Sequence, residues 1–363
     1  MSERQPQPAR QRASTSRSRS VFVGRQREMA ELRAALEDTL AGQGRLVMLV
    51  GEPGIGKSRT AQELAVLAEQ RGGQALWGRC YEDEGAPPYW PWVQPLRAYI
   101  QQAGAEQLTA ELGPGAAVIA EIVPEIYGKL ADLETPPAQE PEAARFRLFD
   151  SITTFLKNVA RRQPLMLVLD DLHWADRASL LLLEFLVREI ESSSMLLVGA
   201  YRDVEVTRSH PLTQTLGALV REQLFQRVQL DGLTQKEVGE LVEGSAGITL
   251  TVEASEVIHK RTDGNPFFVG EVTRQATLND ITEDQGWASI IPEGVRDAIG
   301  RRLNRLSEQC NEMLTTASVV GREFEFRLLI SLMGGTTEDQ LLAAMDEALG
   351  AHMIEELPQA AGR

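Results

Sequence analysis

Between residues 21 and about 230, uninterrupted apolar runs alternate with stretches of helical period. Leu46-Val-Met-Leu-Val50, Leu165-Met-Leu-Val-Leu169 and Met195-Leu-Leu-Val-Gly-Ala200 have no polar position at every second residue, as expected for strands buried on both faces of a parallel sheet. Gln74-Ala-Leu-Trp77-Gly78 reads as a further strand. Helical spacing puts Met29, Leu32 and Leu36 on one face of a segment starting near Glu28, and recurs from Arg59, from Arg145 to Arg161, and through Leu180, Leu183 and Leu186 behind an Asp176 cap. Strand and helix in alternation predict an α/β unit whose parallel sheet is covered on both faces.

The pattern changes twice. From Tyr81 to Pro141 it turns rich in Pro and Gly, with Pro87-Pro-Tyr-Trp90-Pro-Trp92 and an apolar stretch around Val118 to Ile126. Such aromatics either fold back on the core as a lid or form a partner surface, and packing on the core is the commoner outcome. Beyond about Leu230 the strands stop. Thr234 is placed to cap a helix, and helical periods follow over Val252 to Lys260, Pro266 to Gln275, Pro292 to Leu306 and Glu308 to Val319.

The chemistry lies at the carboxyl ends of the predicted strands. Gly51-Glu-Pro-Gly54-Ile55-Gly56-Lys57-Ser58 separates the first apolar run from the helix opening at Arg59, which is the strand, glycine loop and helix of a P-loop. Its glycines let successive N–H groups close around phosphate, Lys57 brings a mobile positive charge, and Ser58 offers a hydroxyl to Mg²⁺. Gly51, Gly54, Ile55, Gly56, Lys57, Ser58 and Arg59 are therefore the candidate nucleotide-binding residues. Asp170 and Asp171 end the second run; one acid there holds Mg²⁺ and a neighbour orients or deprotonates the attacking water, so Asp170 is assigned to the metal and Asp171 to the water. Arg202 follows the third run at the same sheet edge, where it either neutralises a γ-phosphate or is a solvated loop arginine.

Composition narrows the class. With 363 residues, 43% hydrophobic and 25% charged, the chain has the balance of a soluble protein of two or three domains. No apolar run approaches bilayer length and no signal-peptide pattern opens the chain, so a cytoplasmic protein without a membrane partner is expected. Cys80 and Cys310 are far apart and the four His are scattered, which argues for reduced thiols and no structural metal. A net charge of −15 opposes a large nucleic-acid footprint, though one basic face would be compatible with it. Residues 1–20 carry five Arg against one acid and almost no large apolar residue, the composition of a disordered tail.

Phe22-Val-Gly-Arg25, the glycine loop, Asp170-Asp-Leu-His-Trp-Ala-Asp176, Tyr201-Arg202 and Thr262-Asp-Gly-Asn-Pro-Phe-Phe268 occur in this order. Together they resemble the AAA-like ATPase module of STAND signalling ATPases, most of all the module of large ATP-binding LuxR-type transcription regulators and of ATPase-linked adenylate cyclases, over roughly residues 21 to 350. The resemblance implies a P-loop NTPase domain at 21–230 after the 1–20 tail, a helical lid at 231–290, and a helical, partial winged-helix domain at 291–363, in which Phe326 to Met333 and Glu338 to Ile354 are the opening helices. It places Val23, Gly24 and Arg25 near the adenosine of ATP or ADP, Arg202 on the γ-phosphate and Pro266 against the base, with His173 and Trp174 as packing or coupling residues. It further implies Mg²⁺ as cofactor, slow hydrolysis, and an oligomer of like chains on activation. Such regulators continue into a DNA-binding or cyclase effector, so a sequence ending Leu357-Pro-Gln-Ala-Ala-Gly-Arg363 is expected to be a fragment or truncated product lacking its output. The implied function is a nucleotide-controlled switch. A DNA-handling AAA ATPase of the replication-initiator kind, and a module that binds nucleotide without turnover, are the rival readings.

Overall fold

The computed structural model describes residues 21–82, 85–130, 133, 140–278, 300, 303, 306–321, 324–351 and 353–354. The expected tail at 1–20, most of the expected helix from Pro292 to Leu306 and the terminal stretch 357–363 lie outside the described residues.

Five strands form one parallel sheet: β1 (Arg45–Val50), β2 (Gln74–Arg79), β3 (Leu165–Asp170), β4 (Met195–Tyr201) and β5 (Phe225–Gln229), in the order β2-β3-β4-β1-β5. Alternate side chains of each central strand enter opposite cores. Leu165, Leu167 and Leu169 join one cluster, while Met166 and Val168 join the other, the period-two consequence of an extended backbone. The second cluster is roofed by α1 (Gln26–Leu40) and α2 (Lys57–Gln70), through Met29, Leu32, Leu36, Ala61, Leu64 and Ala68. The first is roofed by α3 (Trp90–Gln102), α4 (Ala105–Leu112), α5 (Ala116–Ile119), α6 (Pro141–Arg162), α7 (Arg177–Glu189) and α8 (Pro211–Leu219). The chain is thus a P-loop NTPase fold, a parallel sheet between helical layers. As expected, Asp176 caps α7, accepting from the Ser179 amide at 3.0 Å.

Two elements differ from the sequence pattern. The described part of the Pro-rich segment is largely helical: α3 starts beside Pro91, carries Pro95 inside it, and buries Trp92 completely, with the indole N–H donating to the Ser179 carbonyl at 3.1 Å. Helix α3 lies so close to β2 that a Cβ at Gly78 would stand 1.7 Å from the Pro91 carbonyl oxygen. Trp92 therefore serves the core, and Tyr89 and Trp90 pack against it partly buried. Strand β5 carries no apolar run, because only Val228 of its five residues is buried; it is the sheet's outer edge, where polar side chains are tolerated.

After the sheet come α9 (Gln235–Ala246), α10 (Val252–Thr262) and α11 (Pro266–Leu278), gathered around Leu233, Val238, Val242, Ile258 and Val269. Thr234 and Glu237 make a reciprocal capping box at the start of α9, as the hydroxyl cap anticipated. Helices α12 (Glu308–Val320), α13 (Phe326–Leu332) and α14 (Glu338–Gly350) surround a separate small core of Cys310, Met313, Leu329 and Leu341. Among the described residues no helix is long and apolar enough to cross a membrane.

Candidate functional site

Three parallel strands, β1, β3 and β4, deliver their last residues to one edge, and the polar groups singled out in the sequence converge there. The loop from Gly51 to Gly56 turns directly into α2, and Gly56 reaches the left-handed region (φ 106°) with open space around it. The α2 N-terminus has no side-chain cap, so its first amides keep their hydrogen-bonding capacity for an anion. Gly54 is also left-handed (φ 81°), and a Cβ there would stand 2.9 Å from Asn265 Oδ1 and 2.8 Å from Phe267 Cβ. Both glycines are needed, one for the turn and one for the approach of α11.

Lys57 folds back over this loop, its Nζ donating to the carbonyls of Gly51 at 2.7 Å and Glu52 at 2.8 Å. Its ammonium is pushed down to about 8 by burial first and by the positive charge of Arg202 second, with Asp171 and Asp170 opposing. The Ser58 hydroxyl donates to Asp170 Oδ2 at 2.6 Å, so two oxygen ligands suited to a hard cation are already adjacent. Burial raises the Asp170 carboxyl above its ordinary value, partly offset by the Ser58 bond. This pair is what a Mg²⁺-binding edge requires: a desolvated acid that gains by meeting a cation, and a hydroxyl beside it.

Asp171 follows β3 in the left-handed region (φ 57°), and its amide donates to Asp170 Oδ1 at 3.0 Å. Asp171 Oδ2 accepts from Arg79 Nε at 3.0 Å and Nη2 at 2.9 Å. Arg79, the last residue of β2, was not singled out in the sequence, because its partner stands 92 positions away. Asp171 Oδ1 faces His173 Nε2 at 3.9 Å and Arg202 Nη2 at 4.0 Å. Arg202, the residue after β4, pairs with Glu205 at 2.6 Å and lies over the Trp174 ring at 4.8 Å. His173 is fully enclosed, with Glu205 Oε2 3.5 Å from its Nε2.

Two further groups brace the loop from outside the sheet. Arg25 donates from Nη2 to the Ile55 carbonyl at 2.9 Å, while Val23 and Gly24 run beside the start of α9, where a Cβ on Gly24 would meet Glu237 at 2.6 Å. At the start of α11, the Asn265 side chain just before the helix donates to the Pro53 carbonyl at 3.0 Å and the Phe267 amide to the Gly54 carbonyl at 3.3 Å. Pro266, between them, is the first residue of α11. Arg59 points elsewhere, pairing with Glu63 at 2.6 Å and lying over the Phe22 ring at 5.6 Å.

Residues 21–198 match the family described as the AAA ATPase domain. This stretch of the chain is an AAA ATPase domain. The match ends within β4, so Arg202 and all of α9–α14 lie beyond it. Over 194 residues, half of this chain, the sequence is 25% identical to an uncharacterised protein of Rhizobium meliloti, of whose length that stretch is 18%. In fold, the chain is similar to a STAND protein with a tetratricopeptide repeat sensor from Pyrococcus horikoshii (TM-score 0.44, 15% identity, 91% of this chain and 39% of that one). It is similar also to RuvB of Thermotoga maritima (TM-score 0.40, 18% identity, 93% and 91% of the two chains) and to AMPPCP-bound DnaA from Aquifex aeolicus (TM-score 0.40, 11% identity, 92% and 91%). The chain thus spans well under half the length of the Rhizobium and Pyrococcus proteins.

For the AAA domain the depressed Lys57 pKa has a measurable outcome. Phosphate oxygens favour the ammonium, so the bound pKa lies above the value of about 8 in the free chain, and binding takes up a proton once the pH exceeds that value. Nucleotide affinity should hold steady below pH 8 and weaken above it, by up to about tenfold per pH unit. Titration calorimetry from pH 7 to 9.5 in two buffers of different ionisation enthalpy checks both the slope and the proton; a flat profile with no proton uptake contradicts the placement of Lys57 on phosphate.

Proposed function

We propose that this chain is the ATP-binding, slowly hydrolysing switch module of a STAND-type signalling ATPase. The observation that carries the reading is the bridge from α11 to the phosphate loop: Asn265 and Phe267 bond to the Pro53 and Gly54 carbonyls, so the helices after the sheet rest on the loop that would hold phosphate. Any shift of that loop with nucleotide state is felt by α9–α11 directly. A switch requires only that the docked and undocked states differ in affinity for ADP and ATP.

The roles follow from position. The loop amides and Lys57 hold the phosphates, with Arg25 fixing the loop's far side through Ile55. Val23, Gly24 and Pro266 border the adenosine. Ser58 and Asp170 would hold Mg²⁺, which neutralises phosphate charge when bound. Asp171 orients the attacking water, with Arg79 holding its other carboxylate oxygen by two hydrogen bonds. Arg202 reads the γ-phosphate. ADP favours the docked, closed state and ATP an open one that assembles with further copies. Output through a DNA-binding or cyclase domain belongs to a longer protein, and the cytoplasm is its expected compartment.

Purified without added nucleotide and then denatured, the chain should release close to one ADP per protomer, identified by chromatography. Asn265→Ala should speed release of a fluorescent ADP analogue about tenfold, by removing the part-buried hydrogen bond across the bridge. An unchanged release rate, or hydrolysis strongly stimulated by duplex DNA, would instead favour the replication-initiator reading.

A further inference from the structure

The arginine assigned to the γ-phosphate is not idle in the described structure. The short turn Asp203–Glu205 after β4 brings Glu205 back under Arg202, and their Nη1 to Oε1 distance is 2.6 Å. Both side chains are about four-fifths shielded from solvent (21% and 19% exposed), so the pair is stronger than a surface ion pair. Trp174 closes one side of the guanidinium at 4.8 Å, and Asp171 stands 4.0 Å away on another. His173, wholly buried, stands between the two acids, 3.5 Å from Glu205 and 3.9 Å from Asp171. Arg202 also bears on Lys57 as a repelling charge, so it lies within electrostatic reach of the phosphate site while its own charge is held by Glu205.

We propose that Glu205 is the specificity-determining counter-ion of this site: it holds Arg202 in a parked position and so sets the preference between nucleoside triphosphate and diphosphate. The inference rests on the reading of Arg202 as the γ-phosphate group. To meet a third phosphate, Arg202 exchanges a carboxylate partner for a phosphate one, so the net gain is a difference between two ion pairs rather than the whole of one. A diphosphate leaves the Arg202–Glu205 pair intact and is indifferent to it. The parked pair therefore lowers triphosphate affinity selectively, which keeps a chain with bound ADP from being displaced by modest ATP. Glu205 touches neither nucleotide nor water in this scheme and acts through Arg202, as a positioning residue.

Glu205→Gln keeps the shape and removes the charge. The dissociation constants of ADP and of a non-hydrolysable triphosphate analogue, each with Mg²⁺, are measured by calorimetry for the full chain, for E205Q, for Arg202→Ala and for the double variant. The triphosphate should tighten about tenfold in E205Q, while ADP moves by less than about twofold. In the Arg202→Ala background the Glu205 substitution should have no effect on either nucleotide. Equal changes for both nucleotides, weaker triphosphate binding in E205Q, or an undiminished effect without Arg202 each overturn the proposal. If the parent chain binds neither nucleotide, the switch reading itself fails; if it binds both and E205Q alone is silent, only the role of Glu205 falls.

Discussion

Replacing Lys57 by alanine is expected to weaken nucleotide binding by at least about a hundredfold, through loss of a buried charge-assisted contact to phosphate. The residue is 7% exposed and its side chain makes its two hydrogen bonds to carbonyls of its own loop, so it is a desolvated cation waiting for a better partner. Its effect on folding has the opposite sign. Because burial lowers the Lys57 pKa to about 8 from 10.5, the unfolded chain binds the proton more tightly, and the charged side chain costs stability below pH 8, a cost relieved as the pH rises toward 10.5. The two carbonyl bonds offset part of that cost. The Lys57→Ala variant should therefore melt within about 3 °C of the parent at pH 7. Calorimetric titration beside a thermal melt separates the two quantities. Retained binding removes Lys57 from the phosphate site, and a large fall in melting temperature would give it a structural role instead.

Legibility in the sequence followed the range of the interaction. The phosphate loop was readable because strand, turn and helix are contiguous and each uses a residue type its backbone demands: Gly56 at a left-handed φ, apolar residues on both faces of β1. Asp170 was readable because it ends an uninterrupted apolar run. Strand β5 was not, since an edge strand with one buried residue of five leaves no periodic trace. Helix α3 was hidden by Pro91 and Pro95, residues that argue against helix on propensity alone, and it is held by the burial of Trp92, Leu96 and Ile100 against the sheet. Long-range charge pairs were the least accessible. Nothing near Arg79 marks it as the partner of Asp171, and only the register of β2 against β3, with Arg79 opposite Asp170, brings the two together. A reader attending to strand tips alone, and asking which charged residues end neighbouring strands, would have found Arg79.

Asp171→Asn should lower single-turnover hydrolysis by about a hundredfold or more while leaving ATP affinity within about threefold, since general-base and water-orienting groups contribute on that scale and act after binding. Geometry separates the two neighbouring acids. Asp170 is bonded to Ser58 of the loop helix, whereas Asp171, at φ 57°, spends Oδ2 on Arg79. Its Oδ1, with His173 at 3.9 Å and Arg202 at 4.0 Å, is the oxygen that the proposed function assigns to the attacking water. An amide of the same shape removes the charge and the capacity to take a proton. The fold should tolerate the change, because Arg79 is 58% exposed and water replaces its lost partner. The matching substitution Asp170→Asn should act differently, raising the Mg²⁺ concentration needed for half-maximal rate rather than the rate at saturating Mg²⁺. Quenched-flow measurement of phosphate release at several Mg²⁺ concentrations distinguishes them. Equal rates for Asp171→Asn and the parent remove the water-orienting role from Asp171, and a metal dependence shifted in Asp171→Asn but not in Asp170→Asn exchanges the two assignments.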